Sequence, residues 1–133
     1  SGNYVMFSSG VSLYINISGT NWTPYTISGT VMTAGTVITG GLSGATSAIS
    51  DGTYIYMSNG EVVSSYTISG GAFVLVSTLT IGGVGGLMSE IRGMANIDST
   101  KMYYGFTFIT ANGGASANDE KENLILKAYS KPL

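Results

Sequence analysis

The sequence predicts an all-β chain, a single repetitive domain over residues 1–133, and three observations predict it. Residues 10–29 (GVSLYINISGTNWTPYTISG) align without a gap on residues 51–70 (DGTYIYMSNGEVVSSYTISG), an offset of 41 residues in which Tyr25 to Gly29 repeat as Tyr66 to Gly70. After one inserted residue, TVITGG at 36–41 falls on TLTIGG at 78–83. A period in this range marks repeated supersecondary units. The apolar stretches are short and bounded by clusters of Gly, Asn, Asp and Ser, the punctuation of strands and turns. Finally, 44% apolar content suffices to build a core despite 20 glycines, so the chain is expected to fold.

The repeat divides the chain into units at about 1–41, 42–83 and 84–133, each with up to four strands. In the first unit the strands are predicted at 4–7, 12–17, 22–27 and 31–39. In the second they are predicted at 46–49, 53–57, 62–68 and 72–81. Within 53–57, Tyr54 and Tyr56 alternate with Ile55 and Met57. Both faces are apolar, as in a strand sandwiched between neighbouring layers. Asn59-Gly60 is the strongest hairpin signal, read as the two positive-φ positions of a type I′ turn. The third unit is less regular. MANIDSTKMYY at 94–104 lies 47 residues after SAISDGTYIYM at 47–57, which predicts strands at 91–97, 101–109 and 123–129 and no fourth strand before residue 133. Residues 110–122 (TANGGASANDEKE) form the largest insertion. Its second half reads either as loop or as a short helix capped by Ser116 or Asn118, with Asp119 and Glu120 in the first turn.

The stretch DGTYIYMSNGEVVSSYTISGGAFVLVSTLTI at 51–81, a turn, two aromatic strands and a hydrophobic return strand, resembles a blade of a β-propeller. The resemblance implies a propeller-like arrangement in which loops at one rim carry a ligand. The Trp-Asp and Gly-His marks of WD40 blades are absent, and Gly40-Gly41 and Gly82-Gly83 lack the downstream Tyr and Trp spacing of kelch blades. No functional residue is therefore carried over from a family. Propellers close with four to eight blades. Three units leave three alternatives: pairing with a copy, a piece of a longer chain, or different stacking, as in a β-sandwich or the intertwined β domain of a phage fibre or other virion protein. An open edge at 123–129 predicts a homo-oligomer or larger assembly, because unpaired strand edges are normally covered.

Composition excludes several function classes. The chain has five Lys and Arg and seven Asp and Glu, none before Asp51, and all except Asp51 and Glu61 fall from Glu90 onward. Phosphate recognition needs clustered Lys or Arg, so nucleic acid is not an expected partner. No apolar run reaches the ~20 residues of a membrane-spanning helix, and no basic-then-apolar amino-terminal segment marks a signal peptide. Cysteine and histidine are both absent. That removes disulfides, thiol nucleophiles, Ser/His/Asp triads and structural zinc. No catalytic residue, metal or cofactor is assigned.

The expected rim gathers residues 18–21, 40–46, 59–61, 82–90 and 110–122. Trp22 is the candidate platform for a sugar ring and Asn21 beside it a hydrogen-bonding partner; the alternative places Trp22 in the core, because its repeat partner is Val63. Asn59, Asn112, Asn118 and Asp119 complete the candidate ligand-binding set. Asp119, Glu120 and Glu122 are the only dense carboxylates, a weak Ca²⁺ pattern with Lys121 among them. Asp51 and Asp98 occupy equivalent turn positions, which favours backbone capping. Gly82 to Gly86 lacks the Lys-Ser or Lys-Thr of a phosphate loop. Asn16-Ile17-Ser18 and Asn21-Trp22-Thr23 match the glycosylation triplet.

The expected function is non-enzymatic: a binding or attachment domain, extracellular or on a virion surface, recognising a cell-surface glycan or protein through the rim. The alternative is a structural subunit of a virion, tail, pilus or filament. A carboxylate hydrolase using Asp98 and Glu120 is a third class, which requires two acids at a set separation across a cleft.

Overall fold

Tight hairpins built on glycine fold this chain into successive antiparallel meanders. The computed structural model describes residues 4–80, 88–96, 101–111 and 120–130. The first sheet is β1 (Val5–Ser9), β2 (Ser12–Ser18), β3 (Asn21–Ser28) and β4 (Val31–Ala34), hydrogen-bonded in that order. The second is β5 (Ser47–Ser50), β6 (Ile55–Asn59), β7 (Val62–Ser69) and β8 (Ala72–Thr80), again in chain order. A three-stranded sheet follows, ordered β11 (Glu120–Ser130), β10 (Lys101–Ala111), β9 (Met88–Asn96). The all-β expectation holds, and both four-stranded units match the repeat.

Five hairpins among the described residues have two-residue loops, and in each the first loop residue is a glycine with positive φ: Gly10, Gly19, Gly29, Gly60 and Gly70. This corrects the reading of Asn59-Gly60. Asn59 is the last residue of β6 and pairs with Val62, so the loop is Gly60-Glu61. Only Gly60, at +58°, has positive φ, the pattern of a type II′ turn, which asks for glycine at its first central position alone.

The predicted fourth strand at 31–39 is split, and Pro24 explains the split. The Pro24 carbonyl accepts a hydrogen bond from the Gly35 amide at 2.7 Å. In an antiparallel ladder a residue's nitrogen and oxygen point the same way, so the Pro24 nitrogen, which has no hydrogen, also faces β4. Regular pairing stops at Ala34. It resumes at Ile38, whose amide and carbonyl exchange 2.8 Å bonds with Trp22. In the second unit Ser65 stands where Pro24 stands, and β8 runs on through a bulge beside Ser65 and Tyr66 as one strand to Thr80. A proline inside a sheet sits at such interruptions.

The third unit follows the predicted order, with longer strands. Ala111 pairs with Glu120, Thr110 with Lys121 and Ile109 with Glu122. The expected insertion at 110–122 is therefore shorter, because both ends extend the β10–β11 ladder. Glu120 lies in β11, which excludes a helix running through it; residues 112–119 lie outside the described residues. Among the described residues β11 pairs with β10 alone.

The first strands of the sheets are neighbours: β1 packs beside β5 and β5 beside β9. Between the first two sheets lies the core, made of Val5, Phe7, Trp22, Ile38, Ala48, Ile55, Met57, Tyr66 and Phe73. A run of ring contacts crosses it. Phe7 stacks on Tyr14 at 4.6 Å and tilts against Trp22 at 5.2 Å. Trp22 meets Phe73 edge-on at 6.1 Å, and Phe73 meets Tyr66 at 6.0 Å. These tilted and edge-to-face geometries suit the ring quadrupoles. The apolar contacts between rings of different units are what make two meanders one body.

Candidate functional site

The rim expected from the repeat is the place to look for a site, and the segment linking the first two sheets lies at its centre. The Gly41 amide donates to the Thr20 carbonyl in the β2–β3 loop at 3.0 Å. The Asn59 Nδ2 donates to the Ser43 carbonyl at 2.9 Å, and the Thr46 amide to the Ser58 carbonyl at 2.7 Å. So residues 40–46 do sit between the β2–β3 and β6–β7 loops. Residues 82–87 and 112–119 of the expected rim lie outside the described residues.

The linker is pinned on both sides. The Phe73 amide donates to the Thr39 carbonyl at 2.7 Å, and the Leu42 amide points at the Met57 sulfur at 3.3 Å. A Cβ on Gly41 would stand 2.7 Å from the Trp22 Nε1. Glycine is required there because the indole edge occupies the space of a side chain. Asn59 closes the other end. Its amide lies 3.1 Å from where a Gly44 Cβ would be.

The structure places the sequence candidates unevenly. Trp22 is fully buried, with its Nε1 lacking a hydrogen-bond partner. The core alternative is the one realised, and no face of the indole is open to a sugar ring. The signal was its register with buried Val63. Asn21 is exposed at the start of β3, and its carbonyl accepts from Asn16 Nδ2 at 3.1 Å. The same Nδ2 donates to Gly19, so Asn16 braces the β2–β3 loop. Asn59 is exposed and holds the linker. Asn112, Asn118 and Asp119 lie outside the described residues, as does Asp98.

Asp51 behaves as the turn position suggested. Its Oδ1 accepts from the amides of Thr53 (2.9 Å) and Tyr54 (2.7 Å), and the Tyr56 hydroxyl donates to Oδ2 at 3.4 Å. Burial pushes the Tyr56 hydroxyl well above the usual phenol range, and the Asp51 carboxylate adds to the shift. Tyr66 is raised by burial as well, partly offset by a hydrogen bond with Ser64. Both phenols are held neutral, as packing groups need to be. Among the described residues no three His, Cys, Asp or Glu side chains gather as metal ligands, and no helix is long and apolar enough to cross a membrane.

Two features escaped the sequence reading. One is a set of hydroxyls inside the second sheet: Ser58, Ser64 and Ser65 are buried, with Ser58 bonded to Ser47, Ser65 to Ser77 and Ser64 to Thr78. Each buried hydroxyl finds its partner on the adjacent strand, which removes the cost of leaving it unsatisfied. The serines set among apolar residues in β6 (IYMSN) and β7 (VVSSYTIS) were the available signal. The other is a cavity of about 400 Å³ on the first sheet, lined by Tyr4, Met6, Ile15, Ile17 and Tyr25. A second cavity, about 320 Å³, lies between β1 and β5 and is lined by Met6, Phe7, Ser8, Ala48, Ile49 and Ser50. No protein-family model matches the chain, and no curated protein matches it.

Proposed function

We propose that the chain is a non-enzymatic module of a larger β assembly, with its sheets set as propeller-like blades and its open faces used for packing against further subunits. The observation that carries this reading is the side-by-side order β1, β5, β9, from which each meander runs outward to its last strand. That is how blades radiate. Support comes also from the chemistry of the amino-terminal fifty residues, which carry no charge while Met6, Ile17, Val31 and Met32 stand about half exposed or more. Such a surface suits burial between subunits. The hydroxyl-rich, weakly charged composition fits display outside the cell or on a virion surface.

The test is the state of the purified chain. The reading predicts homo-oligomers or ordered particles by light scattering and electron microscopy, with the amino-terminal third protected from proteolysis only in them. A compact monomer at all concentrations, unfolding cooperatively, contradicts it and favours a closed sandwich.

Attachment through the rim is the second reading, favoured by the convergence of Thr20, residues 40–46 and Asn59 at one end. In it the rim recognises a surface glycan or protein. Glycan-array and cell-binding signals lost on changing Asn21 or Asn59 support it; silence in both assays contradicts it.

A further inference from the structure

The two four-stranded sheets share a template but not a degree of burial, and the mismatch falls on one surface. On the first sheet Met6 pairs with Ile15, Leu13 with Tyr25, and Ile27 with Met32, so these side chains share the face turned away from Phe7 and Trp22. The face is apolar and open: Ile17 is 54% exposed and Met32 49%. On the second sheet the counterparts of Leu13, Ile15, Tyr25 and Met32 are Ile55, Met57, Tyr66 and Phe73: Leu13 and Ile55 pair with the equivalent tyrosines Tyr25 and Tyr66, and Ile15 and Met57 with the equivalent Thr23 and Ser64. All four of those are buried in the core, none more than 7% exposed. In the second unit these positions are covered by packing within the chain itself. Tyr66 and Phe73 lie against Trp22 and its neighbours from the first unit.

The repeat thus states what kind of surface covers these positions: another unit of the same kind. We propose that the outward face of the first sheet, centred on Ile15, Ile17, Tyr25 and Met32, docks against a second copy of this chain. The proposal rests on the assembly reading above and names the surface and the partner. Charge supports the choice. The face has no Lys or Arg with which to hold lipid headgroups, as interfacial segments do, and an uncharged partner is what residues 1–50 of a second copy supply. The lining of the cavity on this face points the same way. Apart from the two tyrosine hydroxyls, Tyr4, Met6, Ile15, Ile17 and Tyr25 offer only apolar side-chain surface. Sugar-binding pockets place several convergent polar groups, whereas this one takes an apolar side chain projected from a protein surface. Exposed apolar patches on this scale mark interaction sites.

The experiment is sedimentation velocity on the full chain from nanomolar to high micromolar concentration. It is run beside the Ile17→Lys/Met32→Lys double variant and a Val74→Lys control, whose site is 47% exposed on β8 and outside the face. Circular dichroism and thermal melts confirm that each variant folds. The expected result is self-association of the parent and the control, weakened at least tenfold in the double variant with an unchanged fold. Association equally strong in the folded double variant overturns the docking face while leaving the assembly reading standing. A parent chain that is monomeric throughout overturns both. A monomer that floats with phosphatidylcholine vesicles, and stops doing so in the double variant, overturns the second copy in favour of a lipid surface.

Discussion

The first and second sheets were written on one sequence template and solved different packing problems. In the second, β6 and β7 are buried on both faces: Ile55, Tyr56, Met57 and Ser58 on one strand, Val63, Ser64, Ser65 and Tyr66 on the next. The interior positions that are not apolar are serines, each bonded across the ladder. In the first, β2 is only half-buried, and its outward positions are isoleucine and leucine rather than serine. A hydroxyl ladder inside and bare hydrocarbon outside reverse the usual order. The difference teaches that burial here follows from which neighbour a sheet has.

Paired truncations sharpen that contrast most. Tyr66→Ala removes a buried ring against Phe73 and is expected to cost about 3–5 kcal/mol, the range for truncating a large core aromatic. Tyr25→Ala, at the equivalent position of the first sheet, is expected to cost under about 1 kcal/mol at concentrations where the chain is dilute. Denaturant unfolding of the two variants measures both. Equal losses would erase the comparison.

The linker provides the next largest effect. Gly41→Ala forces a methyl to within 2.7 Å of Trp22 Nε1 and is expected to destabilise by about 1–3 kcal/mol as an overpacked site. A near-neutral result in the same unfolding assay would mean that the linker stands off the indole.

Alkaline pH probes the buried phenols. Folded Tyr56 and Tyr66 titrate above the ordinary phenol value near 10, so above that pH the unfolded chain loses protons that the folded chain keeps. Stability is then fully present below about pH 10 and falls as pH rises, by up to about 1.4 kcal/mol per pH unit for each such tyrosine. Unfolding free energies measured between pH 8 and 11.5 test the sign. Tyr56→Phe should flatten part of the slope.

The smallest effect concerns the ladder. Pro24→Ser returns an amide hydrogen facing Gly35, as Ser65 supplies in the second unit. Hydrogen exchange should slow at residues 35–38, with a stability change of about 1 kcal/mol or less, the net worth of one hydrogen bond. Unchanged exchange would assign the split of the fourth strand to something other than proline.

Much of this fold was legible because hairpin glycines and strand apolars recur at one spacing. The order of the eight strands in the first two sheets follows from Gly10, Gly19, Gly29, Gly60 and Gly70 and from the 41-residue offset, and that of β9 to β11 from the 47-residue match. What was not legible depends on register. Placing the turn at Gly60-Glu61 required knowing that Asn59 pairs with Val62. The bulge between Asn16 and Ser18 leaves no gap in the aligned repeats, yet it sets which side chains of β2 face the core. The split at Gly35 was foreshadowed by Pro24, a residue whose missing donor carries meaning only once the strand beside it is known. For the candidate site, the convergence of the β2–β3 loop, residues 40–46 and Asn59 was readable from topology, and the repeat partner Val63 offered the core only as an alternative for Trp22. Its burial depends on Phe7 and Phe73, which come from different units.

Trp22 is also the most direct witness to the central claim, that the first two units form one body closed around its indole. Being the only tryptophan, it reports alone in fluorescence. The account predicts blue-shifted emission that acrylamide quenches weakly, and a fluorescence unfolding transition that coincides with the loss of β-sheet circular dichroism. Red-shifted, readily quenched emission in the folded chain would contradict it, and so would a tryptophan transition well before the sheets melt.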